Sequence, residues 1–172
     1  MAFYGDHFAT QVSGGVTTTD FQTKSGPNTS GGRLRQKVMN LTTPASGNNQ
    51  AVLVFGLMKS TDAIHDLFFE SDNVGATSHA TTIGLYEVGP AGELGAVYDV
   101  DCLAAAQATA SAVSRAADGV LVAASRHAEL WTLKAGVTED PGGQFYVCGT
   151  TSDHAFDNSG NMKLSIVYTS GD

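Results

Sequence analysis

From residue 33 onward, apolar and polar side chains alternate with a period of two, the spacing of a strand with one covered face. In "RLRQKVMNLTT", Leu34, Gln36, Val38 and Asn40 share one face, and Arg33, Arg35, Lys37, Met39 and Leu41 share the other. "AVLVFGLM" is a near-continuous apolar run and predicts a strand covered on both sides. In "AIHDLFFES", Ile64, Asp66, Phe68 and Glu70 alternate with His65, Leu67 and Phe69, and the segment predicts a strand with Leu67, Phe68 and Phe69 in or near a core. "TTIGLYEVG", "QFYVCGTT" and "MKLSIVYTS" read as further strands. The last has Met162, Leu164, Ile166 and Tyr168 on one side. Segments rich in Gly, Pro, Asn, Asp and Ser separate these runs at 44–49, 71–78, 90–95, 139–143 and 152–161.

One stretch breaks the period. In "DVDCLAAAQATASAVSRAADG", Leu103, Ala106, Ala110 and Val113 recur at three and four, Asp101 is a suitable N-cap and Gly119 a suitable stop. Its alanines favour helix, so one short helix is predicted over 101–117. "VLVAAS" is either a strand or a continuation of that excursion, and "ELWTLK" either a strand or a short helical turn. About seven or eight strands and one helix, at this spacing, predict an all-β sandwich spanning 33–172. Residues 1–32 differ in kind: they are rich in Gly, Ser and Thr and too poor in clustered apolar residues to offset their own ordering entropy. They predict an extended N-terminal arm, whose Phe3, Tyr4, Phe8 and Phe21 either anchor it on another surface or fold back on the body.

Composition sharpens this picture. Only 15% of residues are charged while Gly numbers 20, as turn-rich β proteins require. Charge is unevenly placed: residues 1–61 carry five basic groups against two acids (net +3), and 62–172 carry four against fifteen (net −11). Such a body repels nucleic acid, whereas the leading segment suits an acidic protein surface. Arg33, Arg35 and Lys37, alternating on a strand, form a basic stripe; this is either an edge guarded by charge or a contact with a partner. The N-terminus shows no basic region followed by an apolar run, and no stretch approaches the ~20 apolar residues of a spanning helix, so the expectation is a soluble protein made in a cytoplasm, with no membrane partner.

Candidate chemistry is thin. His65 and Asp66 are neighbours on a strand and point to opposite faces, so they form no dyad. Asp66 and Glu70 are separated by Phe68 on their face. The histidines at 7, 65, 79, 127 and 154 show no ligand spacing, and "SDHAFDNSGN" lacks the spacing of a calcium loop, so no metal or other cofactor is expected. Cys102 and Cys148 form no CxxC pair and are read as buried thiols. There is no G-x-S-x-G and no P-loop lysine pattern.

Three stretches are similar to the decoration, or cement, proteins of tailed-phage capsids and related small phage head proteins. They are "LRQKVMNLTT", the run from "AVLVFGLMKSTDAIHDLFFESDN" through "TTIGLYEVG", and "GVTEDPGGQFYVCGTTSDHAFDNSGNMKLSIVYTS" with its closing L-x-I-x-Y. The resemblance covers residues 33–172. It implies a jelly-roll-like β-sandwich, no catalytic activity, a homotrimer, and a place on the outer capsid surface of the virion against the major capsid protein. In that reading Phe3, Tyr4, Phe21 and Lys24 of the arm, with Arg33, Arg35 and Lys37, make the capsid contact. Two other readings stay open at this stage. A carbohydrate-binding sandwich for host attachment needs Trp131, Tyr86 or Tyr146 on an exposed platform. A hydrolase needs His65, His127 or His154 to meet carboxylates in a cleft.

Overall fold

The alternating stretches become seven strands in two sheets. In the computed structural model, residues 34–43, 51–75, 79–110, 112, 120–151 and 156–171 are described. The strands are β1 (Leu34–Thr42), β2 (Val52–Lys59), β3 (Ala63–Ser71), β4 (Ala80–Val88), β5 (Leu94–Ala108), β6 (Gln144–Thr151) and β7 (Asn161–Thr169). One sheet has the order β1-β7-β3 and the other β2-β6-β4-β5, and neighbouring strands in each pair antiparallel. The chain passes between the sheets after β1, β2, β3 and β6. This is the crossing pattern of a jelly roll.

A jelly roll has eight strands, and here the eighth position is filled without a regular strand. Residues 120–130 run beside β3. Val120 N–H donates to Leu67 O (2.7 Å), His127 N–H to Ile64 O (2.6 Å), Ile64 N–H to Ala128 O (3.3 Å) and Leu130 N–H to Asp62 O (3.0 Å). The same segment reaches the second sheet through Val122 N–H to Leu103 O (2.9 Å) and Ser125 Oγ–H to Cys102 O. It therefore laces one flank of the sandwich shut. Two 3-10 turns, Ala123–Ser125 and Leu130–Leu133, bend it, so "ELWTLK" takes the helical-turn alternative and "VLVAAS" forms an extended piece that turns at its end.

The core lies between the sheets. Ile64, Leu67 and Phe69 of β3, Ile83 and Leu85 of β4, Val147 of β6, and Met162, Leu164 and Ile166 of β7 are all fully buried. Each large aliphatic there contributes about 1.5–3 kcal/mol of burial. β7 follows the alternation read from its sequence, with Met162, Leu164 and Ile166 inward and Tyr168 partly covered.

Two expectations are corrected. The helix over 101–117 does not form across 101–108, which belong to β5. Residues 111 and 113–119, with the proposed stop at Gly119, lie outside the described residues. Alanine's helix preference is worth only tenths of a kcal/mol per residue. Pairing with β4, together with burial of Cys102, Leu103 and Ala104, outweighs it. Nor is β2 covered on both sides. It is an edge strand whose Val54 stays exposed, and its register shifts between Val54 and Gly56, so that Phe55 and Met58 are both buried. The bulge, rather than a second covering layer, accounts for the unbroken apolar run.

Candidate interaction surfaces

β1 forms one border of its sheet and carries the basic stripe. Arg35 is exposed, whereas Lys37 is half-buried and its ammonium donates to Leu57 O of β2 at 2.5 Å. Lys37 thus ties the two sheets together along this flank. Leu34 and Val38 sit on the opposite side of the strand and are exposed, Leu34 at 64%. The alternation is real, but the face with the basic residues is the one that holds the buried Met39. Phe3, Tyr4, Phe21, Lys24 and Arg33 lie outside the described residues, as does the arm at 1–32.

β5 borders the other sheet and is the least regular strand. Two steps along β4, from Ile83 to Leu85, are matched by five along β5, from Ala104 to Asp99. The surplus residues loop outward over Gly84. A Cβ at Gly84 would stand 2.1 Å from Asp99 O and 2.4 Å from Val100 C, so only glycine fits beneath the bulge. The bulge turns Val100 and Asp101 to solvent, near Val97 and Leu94. Asp99 Oδ1 accepts Asp101 N–H at 3.3 Å, and Asp101 itself is exposed. Nothing in the sequence pattern marked this edge, because its second half reads as helix.

The opening of β3 holds a histidine pair. The register of β3 on β7 shifts between Ile64 and Asp66, so His65 is an extra residue. The bulge turns Ile64 inward along with Leu67 and Phe69, and His65 outward. There His65 Nδ1 meets His127 Nδ1 at 2.7 Å, and its Nε2 lies 3.1 Å from Thr169 Oγ1. One assignment satisfies both contacts: His127 Nδ1–H donates to His65 Nδ1, and His65 Nε2–H donates to Thr169 Oγ1. His127 adopts a left-handed backbone (φ 64°), a conformation that non-glycine residues visit at some cost. Burial, and then the neighbouring His127, hold the His65 imidazole below its ordinary pKa. No local pattern marks this pair, whose members stand 62 residues apart in the chain.

Asp66 takes no part in it. Its Oδ1 accepts Leu67 N–H at 2.9 Å, and Glu70 pairs with Lys163 at 3.1 Å, as cross-strand neighbours do. His79 is buried against Thr109, Nδ1 to Oγ1 at 2.5 Å, while His7 and His154 lie outside the described residues. Hence His65 and His127 meet each other rather than a carboxylate. Among the described residues, no group of three or more His, Cys, Asp or Glu side chains is arranged to hold a metal ion. Both cysteines are free and buried; burial pushes the Cys148 thiol up to about 12 and the Cys102 thiol higher still.

The three aromatics named for a glycan platform are dispersed. Tyr86 and Tyr146 are cross-strand partners on the outer face of the four-stranded sheet, but Tyr86 is buried and its hydroxyl is engaged with Thr150 Oγ1 at 2.8 Å. Trp131 lies in the lacing segment, where its indole N–H donates to Glu129 Oε2 at 2.7 Å and its ring packs against the core. A pocket of about 190 Å³, lined by Glu87, Tyr98, Gly142, Gln144 and Phe145 among others, lies near the 139–143 turn. It is smaller than the roughly 300–1,000 Å³ of a ligand site. Burial, followed by Asp140 and Glu87, raises the pKa of the Tyr98 phenol, which donates to Trp131 O at 2.6 Å.

These features define a jelly-roll-like β-sandwich whose accessible chemistry lies on its outer faces and flanks. Solved structures place the fold more closely. It is similar to a chain of the capsid of Ralstonia phage GP4, with a TM-score of 0.60 and 11% identity over 82% of this chain and 86% of that one. A chain of the cyanophage Pam1 capsid asymmetric unit aligns at a TM-score of 0.43 and 13% identity, over 80% of this chain and 85% of that one. No protein-family model matches the sequence, and a comparison with curated proteins gives no match.

Proposed function

We propose that the chain is a non-enzymatic virion structural protein, a decoration or cement protein that binds the outside of a tailed-phage capsid. It holds the major capsid protein shell together as a homotrimer. The observation that carries this reading is the fold shared, over most of both chains, with a protein of a phage capsid. The physical logic is simple. Internal pressure from packaged DNA strains the seams between capsid subunits. A stiff sandwich clamped across a seam adds binding energy without chemistry, and many copies multiply the effect. The acidic body, net −11 over residues 62–172, keeps a decorated particle soluble. The mildly basic lead segment, with Phe3, Tyr4, Phe21, Lys24 and Arg33, reaches the shell, and Arg35 and Lys37 continue that stripe onto β1.

The test uses capsids of the same phage prepared without this protein. The purified full chain is expected to co-sediment saturably with the assembled shell, to bind isolated capsid subunits weakly, and to raise the temperature at which the shell releases DNA. Failure to bind assembled shells at about 10 μM, a concentration that captures even modest affinities, overturns the reading. So does a requirement for the chain during assembly combined with no exchange onto finished shells.

A further inference from the structure

We infer that copies of this protein associate flank to flank, the β1 border of one against the first half of β5 in the next. Six large apolar side chains are exposed among the described residues: Leu34, Val38, Val54, Leu94, Val97 and Val100, with Leu34, Val97 and Val38 the most open. Five of the six lie on two strands, β1 and β5. Each of these strands ends a sheet, so each presents a row of main-chain groups that its own sheet leaves unpaired. Isolated exposed apolar residues need no explanation; a concentration of them on two sheet borders does.

Charge supplies the direction. β1 holds Arg35 and Lys37 and no acid. The hairpin from Glu87 to Asp101 holds Glu87, Glu93, Asp99 and Asp101, and no basic residue occurs anywhere from 80 to 108. A β1–β1 contact would set like charges together, and so would β5–β5; only β1 against β5 sets opposite charges together. The contact is therefore heterologous, each copy giving one flank and receiving the other, and such contacts close into a ring where the rotation between neighbours allows.

Residue roles follow from the geometry. Lys37 is engaged with Leu57 O, so Arg35 is the cation that projects. On the other side, Asp99 is half-buried, and Asp101 is the exposed acid next to Val100. The Asp99–Val100 bulge over Gly84 is what lifts these two residues out. Only the remainder of β5, around Cys102 and Leu103, is bonded to residues 122–125, so the half from Leu94 to Asp101 is the open one. In this inference Arg35 meets the neighbouring copy instead of the shell, which leaves the capsid contact proposed above to the arm residues. The inference does not depend on the capsid reading, and its test contains no capsid.

The mass of the full-length chain is measured by sedimentation velocity across concentration at low salt and at about 0.5 M salt, where the screening length falls to about 4 Å. The expected result is an oligomer of the 17.8 kDa chain that weakens several-fold at high salt. Arg35→Asp and Asp101→Arg, each expected to weaken association ~10-fold or more, are made singly and together. Both positions are exposed, so each variant keeps the wild-type fold, read by far-UV circular dichroism. The double variant is expected to recover most of the lost association, which a merely structural effect would not do. A monomer at every concentration overturns the inference. So does a double variant no better than the singles, or association that removal of residues 2–33 abolishes while Arg35→Asp leaves it intact.

Discussion

Replacing Gly84 with alanine puts a methyl carbon 2.1 Å from Asp99 O, 2.4 Å from Val100 C and 2.5 Å from Val100 O. All three are backbone atoms of the β5 bulge, so no side chain can swing aside. Restoring an ordinary van der Waals contact requires the bulge to move by about 1 Å. Elsewhere in a strand, glycine to alanine is a gain of about 0.5–1 kcal/mol, because glycine loses more backbone entropy on folding. Here the clash reverses the sign. Overpacking of this kind costs about 1–3 kcal/mol, and a disrupted β4–β5 hydrogen bond adds about 1 kcal/mol. A net loss of about 2 kcal/mol is expected. For a chain of this size that corresponds to about 4–8 °C in Tm and to about 1 M in urea midpoint. The single tryptophan, Trp131, packs against the core and reports the transition by fluorescence. Gly92→Ala is the control. Gly92 has φ 83° with no atom near its missing Cβ, so it meets only backbone strain, about 1 kcal/mol. A Gly84→Ala midpoint equal to or above wild type would refute the placement of the bulge, and with it the outward projection of Val100 and Asp101.

Two other outcomes follow from the site chemistry. His65 titrates near 6.5 in the unfolded chain and lower in the folded one, so the unfolded state takes up its proton first as pH falls. The stability this group contributes is full above about pH 6.5 and is lost as pH drops through the folded pKa; His65→Gln should flatten urea midpoints between pH 5 and 7, and an unchanged slope would count against the pair. Cys102 and Cys148 are buried with raised pKa values, so a thiol reagent at pH 8 should leave both unmodified in the native protein and label both in urea; rapid native labelling would contradict their burial.

Much of the sandwich was legible along the chain. β3, β4, β6 and β7 stand where period-two runs of Ile, Leu, Val, Phe and Tyr predict them. The 139–143 turn carries Gly142 and Gly143 at φ 74° and 79°, as its composition predicts. These elements state their own fate because a strand with one buried face needs local alternation, and alternation is a local property. β5 departs from its helical pattern because its alanines have a helix preference of only tenths of a kcal/mol, which the open edge of β4 overrides. The inward turn of Ile64 was hidden because the bulge at His65 shifts the face of one residue without leaving a mark in composition.

The sequence by itself thus determined the class of fold, the places where the chain turns, and the uneven division of charge between its lead segment and its body. Tertiary structure alone decided that residues 120–130 lace the eighth position shut, that His65 meets His127, and that the exposed apolar residues gather on β1 and β5. The physical reason is range. Periodicity and turn chemistry act over a few neighbouring residues, whereas bulges, flanks and cross-sandwich contacts depend on which distant strand supplies a partner, and on which edge is left without one.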